Sequence, residues 1–429
     1  MHMRKNWVIR FWAVCALLFS AWTVSAQTDG TYGGFSPYSV FGVGQMHQKG
    51  TAWNRSMGGV GIASRNTRFI NILNPASATA RDSLSFMADF GVNGRISLFK
   101  EGEKKGLNTT ANIDDFVMSF PLWRHTAMMV GLVPVSDVGY NISTTEVDYM
   151  GGHTFTTKGN GGMYQLFAAF SATLWHRLSL GAQFNYSFGN INKVASLTHD
   201  ETSYRSMASG DSLQVNNLGA TLGLQYEQPL SARSALTFGA TYKFSTPLNG
   251  YHIHYRELGS YDRSRAENEL SGLRMGDELG LGLSYRFTDK FMAEVDYTRT
   301  NWASSRLDQV SGFSNVGDVT FAPSVGQAFR AGLEWTPNRN DIRYYLRTCT
   351  YRVGAYYDKS YYTVDGAHVD SMGITLGMTL PVYRWKNGFT VGVDFGQRGL
   401  ATSQVKEMYF GFNLGLNVFD IWFQKRPYE

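Results

Sequence analysis

The chain has 429 residues and a formal net charge of +5, with 39 Lys and Arg against 34 Asp and Glu. So small an excess excludes the basic signature of a nucleic-acid-binding protein. Beyond the first 26 residues no run of about 18 apolar residues occurs, which excludes a transmembrane helix. Glycine (46) and aromatic residues (24 Tyr, 28 Phe, 10 Trp) are abundant, yet mean hydropathy is only −0.24. A β-barrel wall produces this combination: Gly relieves crowding, aromatics form interfacial girdles, and half of each strand faces a polar lumen.

Residues 1–26 read as a secretory signal. Arg4, Lys5 and Arg10 give a positive start, an apolar stretch follows, and Val24-Ser25-Ala26 forms a small-residue cleavage site. Cys15 would leave with it. Cys349 would then be the one remaining thiol, so no internal disulfide is expected, and its place in an alternating stretch predicts a wall residue.

Residues 27–81 differ from everything after them. They are rich in Gly, Asn and Ser and show little alternation. From residue 82 to 429 the pattern becomes a repeated unit of two strands and a tight turn. Strands are predicted at 84–99, 113–121, 126–140, 163–174, 178–190, 213–227 and 235–248. Seven more are predicted at 275–287, 291–302, 327–335, 342–357, 372–383, 388–398 and 406–423. The count is about fourteen, an even number, as single-chain outer-membrane barrels prefer. Alternate connections are tight and would be periplasmic. The others, including 100–112, 141–162, 191–212, 249–274, 303–326 and 358–371, are long and polar, hence external loops.

Within a strand, large apolar residues share one parity. Leu279, Leu281 and Leu283 oppose Gly280, Gly282 and Ser284; Met372, Ile374 and Leu376 oppose Gly373, Thr375 and Gly377. A Lys or Arg facing lipid near the midplane costs roughly 2–4 kcal/mol, so the charged parity faces inward. On that reasoning Lys243, Arg286, Glu294, Asp296, Arg330, Glu334, Arg352 and Asp394 line or brace the lumen. Both signs occur, which fits ion pairs that stiffen the wall better than a substrate path. In the last strand Phe410, Phe412, Leu414, Leu416 and Val418 face out. A phase slip at Phe419-Asp420 suggests a bulge, and Trp422 and Phe423 suit the membrane interface. An aromatic-rich terminal strand is also what barrel-assembly machinery would engage.

Gly58-Gly59-Val60-Gly61 followed by Asn74-Pro75-Ala76, shortly before the first strand, resembles the N-terminal region of FadL-type outer-membrane proteins, the long-chain fatty acid and hydrocarbon transporters. The match is sharp over 55–80 and architectural over the rest. It implies a monomeric fourteen-stranded barrel whose N-terminal segment folds inside as a hatch. Ser36-Pro37-Tyr38 and the Trp422-Phe423-Gln424 ending look more like versions found in Bacteroidota. A related branch of that family, the barrel component of the type nine secretion system, handles proteins instead. Physically, Pro75 removes a backbone donor and Asn74 can cap a turn, which suits an irregular plug or the start of a short helix.

Enzyme motifs are missing: there is no G-x-S-x-G elbow and no H-E-x-x-H. His252-Ile253-His254 could give two metal ligands, but no third is evident, so an exposed loop pair is expected and no metal or cofactor. Asp114-Asp115 read as solvated loop acids. The expected function is passive uptake of a hydrophobic, fatty-acid-like molecule from an outer-membrane barrel surrounded by lipid. The alternative is a non-transporting subunit held with other envelope proteins in a secretion or assembly complex.

Overall fold

A computed structural model describes residues 34–82, 85–148, 151–175, 177–200, 205–259, 262–310, 313, 315–316, 319–382, 387–399 and 405–421. The signal-like segment, the turn residues 384–386, Trp422 and Phe423 fall outside the described residues.

Fourteen antiparallel strands form the wall. They are β1 (Ser85–Glu101), β2 (Lys104–Pro121), β3 (Thr126–Asp148), β4 (Gly151–Leu174), β5 (Leu178–His199), β6 (Met207–Ser231) and β7 (Ser234–Lys243). The ring continues through β8 (Asp277–Phe287), β9 (Phe291–Asn301), β10 (Val325–Trp335), β11 (Thr350–Val364), β12 (Ala367–Pro381), β13 (Gly388–Arg398) and β14 (Lys406–Ile421). Each pairs with its sequence neighbours, and β14 pairs with β1 from Lys406↔Lys100 to Ile421↔Ser85, which closes the barrel. Closure leaves no sheet edge where the ladder is complete, as a wall in hydrocarbon requires.

The two parities separate cleanly. Leu281, Phe329, Ile374, Phe395 and Leu414 are exposed on the outer face. Ser284, Glu294, Asp296, Glu334, Arg352 and Asp394 are buried on the inner one. Trp123 and Trp175 stand exposed in two of the short turns, where interfacial aromatics belong.

Three features depart from the sequence pattern. Most of the expected external loops are continuations of the strands: β1 and β2 remain in register to Glu101↔Lys104, and β3 and β4 to Asp148↔Gly151. Above the lipid both faces meet water, so alternation disappears while the ladder persists. Cross-strand Thr and Ser pairs such as Ser143–Thr156 (3.0 Å) and Thr145–Thr154 (3.1 Å) support it. Residues 249–274 form a separate hairpin, Asn249–Leu258 with Asp262–Glu269, whose first strand pairs with the outer half of β6.

The expected strand at 342–357 begins only at Thr350. Before it lies a one-turn helix, Tyr345–Thr348, stabilised where Asp341 accepts from Arg343 N (2.8 Å) and Tyr344 N (2.9 Å). Cys349 is therefore the last residue of a turn and not a wall residue, and burial pushes its thiol up and away from reactivity. The phase slip at Phe419-Asp420 is also not there. β14 stays in register to Ile421, and Phe419 turns inward against a core containing Ile70 and Met87.

Leu281→Arg should test the outward assignment. It should lower unfolding stability in lipid by roughly 2–4 kcal/mol, read from urea titrations in vesicles. Ser284→Thr, on the inner face of the same strand, should change it far less.

Candidate functional site

Residues 34–82 run inside the ring. Their partners lie on strands all around it, from β3 and β5 through β9, β10 and β12 to β14. The segment is held locally by short elements. Ser36 Oγ caps a 3-10 turn at Pro37–Val40, and a one-turn helix at Ala52–Arg55 sits in a Thr51/Asn54 capping box. A second 3-10 helix, Pro75–Ala80, is capped by Asn74, whose side-chain oxygen accepts from Ala76 N at 3.0 Å. So Asn74-Pro75 does start a short helix, with Pro at a position that has no donor to lose. The Asn74 amide also donates to Ile62 O (2.8 Å) and to Leu224 O on β6 (3.1 Å).

Backbone donors in the glycine stretch point at wall side chains. Gly58 N donates to Thr375 Oγ1 (2.7 Å). Gly61 N and Ile62 N both donate to Asp296 Oδ2 (2.7 and 3.0 Å), and Ala63 N to Glu294 Oε1 (2.8 Å). Gly58 and Gly59 sit at φ +73 and +79, the left-handed region that favours glycine.

The wall makes room with glycines of its own, in register on adjacent strands. A Cβ at Gly223 would lie 2.1 Å from Asn74 Oδ1, and one at its partner Gly181 2.5 Å from Ala76 N. A Cβ at Gly354 would lie 2.2 Å from Gly58 N, and one at its partner Gly332 2.4 Å from Met57 Cγ. Gly377, facing Gly392, admits Ser56 in the same way. These inward glycines were missed as functional positions in the sequence. Their recurrence on the charged parity was the available signal.

The predicted inward charges divide by partner. Glu334 accepts from Trp53 Nε1 (2.8 Å), Arg352 Nε (2.8 Å) and Arg68 Nη2 (3.3 Å). Trp53 stacks on Phe69 at 5.7 Å, and the Arg352 guanidinium lies 4.8 Å from the Phe69 ring centre. Arg330 pairs with Asp358 (2.7 Å), and Asp394 accepts from Tyr356 (2.9 Å), which bonds Tyr409. Arg286 is half exposed and reaches Arg65 O (3.3 Å) and Glu227 (3.4 Å). Lys243 stands opposite Glu278 in register, whose carboxylate is taken by Lys49.

The wall is interrupted between β2 and β3. The two strands pair only over Phe116–Pro121 and Ala127–Leu132. Pro134 then removes a donor, a bulge follows between Pro134 and Ser136, and β3 leaves β2. The N-terminal segment takes the vacated edge: Gln45 and Met46 pair with Asp137 and Ser136, and His47 N donates to Val135 O (2.9 Å).

Asp114 and Asp115 are buried residues of β2, not solvated loop acids. A register shift between Gly91 and Val92 places Asp114 out of the ladder and turns it inward. Asp114 bonds Arg55, Asn93 and His47 Nε2 (2.7 Å), while His47 Nδ1 lies 3.0 Å from Asp137 of β3. Since a carboxylate is acceptor-only, both imidazole nitrogens donate and His47 is the imidazolium. Burial and Arg55 pull its pKa down, but the bonds to Asp114 and Asp137 outweigh them and raise it above 6.5. Neither His47 nor Pro134 stood out in the sequence.

His252 and His254 lie in the 249–258 strand and both bond Asp211 Oδ1 (2.8 and 2.9 Å). Among the described residues no group of three potential ligands forms a metal site.

Between the segment and the wall lies a cavity of about 330 Å³. Twelve of its lining residues ionise, among them Lys49, Arg95, Lys243, Glu278, Arg330 and Asp358. Toward the long-hairpin end it is covered by an apolar cluster in which Tyr38, Val40 and Phe41 pack on Trp302, Phe321, Tyr361 and Tyr362. Phe41 stacks parallel on Phe321 at 6.0 Å.

The family model that matches this sequence is BamG, over residues 8–429. The chain belongs to the BamG family. No curated protein matches the sequence. Solved structures share the fold of this BamG-family barrel at low identity. The Pseudomonas putida toluene transporter TodX has a TM-score of 0.57 and 16% identity, covering 90% of this chain and 100% of its own. The CymD monoaromatic hydrocarbon channel gives 0.55 and 14% over 88% of this chain and 98% of its own. A Pseudomonas aeruginosa FadL homologue gives 0.55 and 12% over 88% and 100%. At these identities the likeness is one of fold: the closed barrel is of the FadL-like type.

Two outcomes follow for the BamG-family lumen. Gly354→Val should drive the 57–59 stretch off the wall, so that limited proteolysis cuts within 34–82 while the wall stays intact. The His47 clasp should be complete below pH 6.5 and should weaken as pH rises through its raised folded value. The urea midpoint should fall over that range, and His47→Gln should flatten the dependence.

Proposed function

We propose that this BamG-family barrel is a non-transporting subunit of an outer-membrane complex that assembles or secretes envelope proteins. The observation that carries this reading is how firmly the N-terminal segment is fastened to the wall. Twelve ionisable side chains line the cavity of about 330 Å³ beside it, and most are already held by protein partners, as Lys49 is by Glu278 and Arg330 by Asp358. The lumen is better matched to rigidity than to passage. Wall carboxylates hold the backbone of 61–63, and buried pairs such as Glu334 with Arg352 tie that segment to the ring. The family name, with its Bam stem, supports membership of an assembly complex.

In this reading the 27–81 segment is a permanent plug. Asn74, Pro75 and Ala76 anchor it at β5 and β6, Gly58, Gly59 and Gly61 give it close approach, and the inward charges serve as its fasteners. A rigid, filled barrel can present its hairpins, short turns and interrupted ladder to partners without itself changing shape.

A second reading is passive uptake of a hydrophobic molecule, with the same segment acting as a movable hatch. It is favoured by the fold shared with a toluene transporter and a monoaromatic hydrocarbon channel. Purification from native membranes in mild detergent separates the two. The subunit reading expects stoichiometric envelope proteins alongside the barrel. Recovery of the barrel alone, together with loss of uptake of an apolar compound in a deletion strain, would replace it with the hatch reading.

A further inference from the structure

The rim formed by the short turns carries free charge of one sign. Arg124 lies between β2 and β3, Arg177 between β4 and β5, Arg233 between β6 and β7, Lys290 between β8 and β9, and Arg343 between β10 and β11. All five are exposed, and among the described residues none bonds a carboxylate. The acids of these turns are already taken. Asp289 accepts from Arg339 Nη1 (2.8 Å), and Asp341 from Tyr344 N (2.9 Å) and Arg347 Nη1 (3.4 Å). The opposite rim differs. Its hairpin tips mix signs, as Glu101 and Glu103 beside Lys104 and Lys105, or Glu257 paired with Arg263 (3.0 Å).

Each base stands close in sequence to a large exposed apolar side chain. Trp123 precedes Arg124, Trp175 precedes Arg177 by one intervening residue, and Ile342 precedes Arg343. Leu230 and Phe287 end the strands that lead to Arg233 and Lys290. The longest turn, 336–349, shows which way such side chains lie. Tyr351 packs beside the outward Trp335, with 6.1 Å between ring centres, and donates to Leu346 O (2.9 Å). Tyr345 donates to Pro381 O (2.9 Å) at the end of β12. These bonds draw the turn back over the outer edge of the wall, where Ile342 and Leu346 are exposed. At a membrane rim, apolar side chains enter the headgroup boundary while a long base beside them keeps its charge among the phosphates.

We propose that the short-turn rim is a binding surface for anionic phospholipid headgroups, whose phosphates are held by the turn arginines. Distribution selects lipid over protein. The five bases are spread from β2 round to β11, most of the circumference, whereas a protein partner meets one sector. Chemistry selects phosphate. Four of the five bases are Arg, whose planar donors match phosphate oxygens in pairs. The attraction is electrostatic, so salt weakens it. Such a collar seats the barrel in its leaflet whether the molecule serves a complex or a solute, and is independent of the subunit reading.

The test uses full-length protein reconstituted in vesicles of mixed phosphatidylcholine and phosphatidylglycerol. Bromine on the acyl chains of one lipid or the other quenches the tryptophans that border it. Trp123, Trp175 and Trp335, all exposed at this rim, report which lipid is there. Phosphatidylglycerol should be favoured roughly fivefold, the ratio expected of one base at an anionic surface. Salt at about 1 M, where the Debye length is about 3 Å, should bring the ratio close to one. Joint replacement Arg124→Gln, Arg177→Gln, Arg233→Gln and Arg343→Gln should do the same at low salt. The four matching Lys variants should keep most of the preference, and Lys104→Gln with Lys105→Gln, at the other rim, should leave it unchanged. Protease resistance of the barrel verifies folding of each variant. Equal occupancy by the two lipids, or a preference that survives loss of the four arginines, would overturn the proposal. If occupancy is equal and the fourfold Gln variant loses envelope proteins that co-purify with the unaltered chain, the rim is a protein surface: the lipid assignment falls and the subunit reading stands. A lipid preference with no co-purifying protein leaves the collar in place and removes the subunit reading alone.

Discussion

An irregular peptide enclosed by a closed wall has nowhere to send its backbone polar groups except into that wall. Everything distinctive about this barrel follows from that constraint. A buried N–H without a partner costs free energy comparable to a lost hydrogen bond, and here three consecutive donors at 61–63 arrive together. Asp296 and Glu294 receive them. The carbonyls are met by amides: Asn54 donates to Val60 O, Asn71 to Ser64 O, Gln225 to Ile62 O and Asn417 to Arg68 O. Two inner-face carboxylates thus serve as acceptors for backbone, while others, such as Glu334, Asp358 and Asp114, take donors from Trp, Arg and His side chains.

Space imposes the second requirement. A helix or loop can approach a sheet backbone closely only where side chains are absent. The glycines of the wall supply that track in cross-strand pairs, so that the segment lies against β5 and β6, then β10 and β11, then β12 and β13. Removing the pair at one station would not merely loosen packing. It would separate donors from acceptors whose partners are set by neighbouring stations. Space and hydrogen bonding are coupled, and this is why charge and glycine share one parity of the strands.

Strand period and turn chemistry are local properties, and they sufficed for the wall: parity at Leu279–Leu283 or Met372–Leu376 needs no knowledge of any other strand. The count of strands was legible for the same reason. What was not legible is non-local. Asp114-Asp115 look like loop acids because the alternation fades at Asn112, yet an extra residue in β2, between the pairs Gly91↔Asp115 and Val92↔Ile113, carries both inside. Pro134 lies in a good strand pattern and marks the point where β3 abandons β2, but only the pairing reveals it. His47 has nothing beside it in sequence that suggests two carboxylates, which come from positions 67 and 90 residues away. Asn74 stood out by its motif, while its wall partner Leu224 lies 150 residues on. The ionisable groups that line the cavity likewise come together only from many separate segments.

The same closed wall can be filled in two ways, and the filling decides what it does. A ring that passes apolar solutes needs an interior whose polar groups already satisfy one another, so that the solute displaces little bound water. In this chain Lys243 faces a Glu278 already engaged by Lys49, and Arg95 meets the Tyr409 ring at 4.5 Å. Burying such cations is costly unless neighbouring groups compensate their charge. Toward the long hairpins Phe41, Trp302 and Phe321 pack over the cavity. Apolar packing above and fastened polar groups below hold the segment in place, and the ladder between β2 and β3 is interrupted beside it.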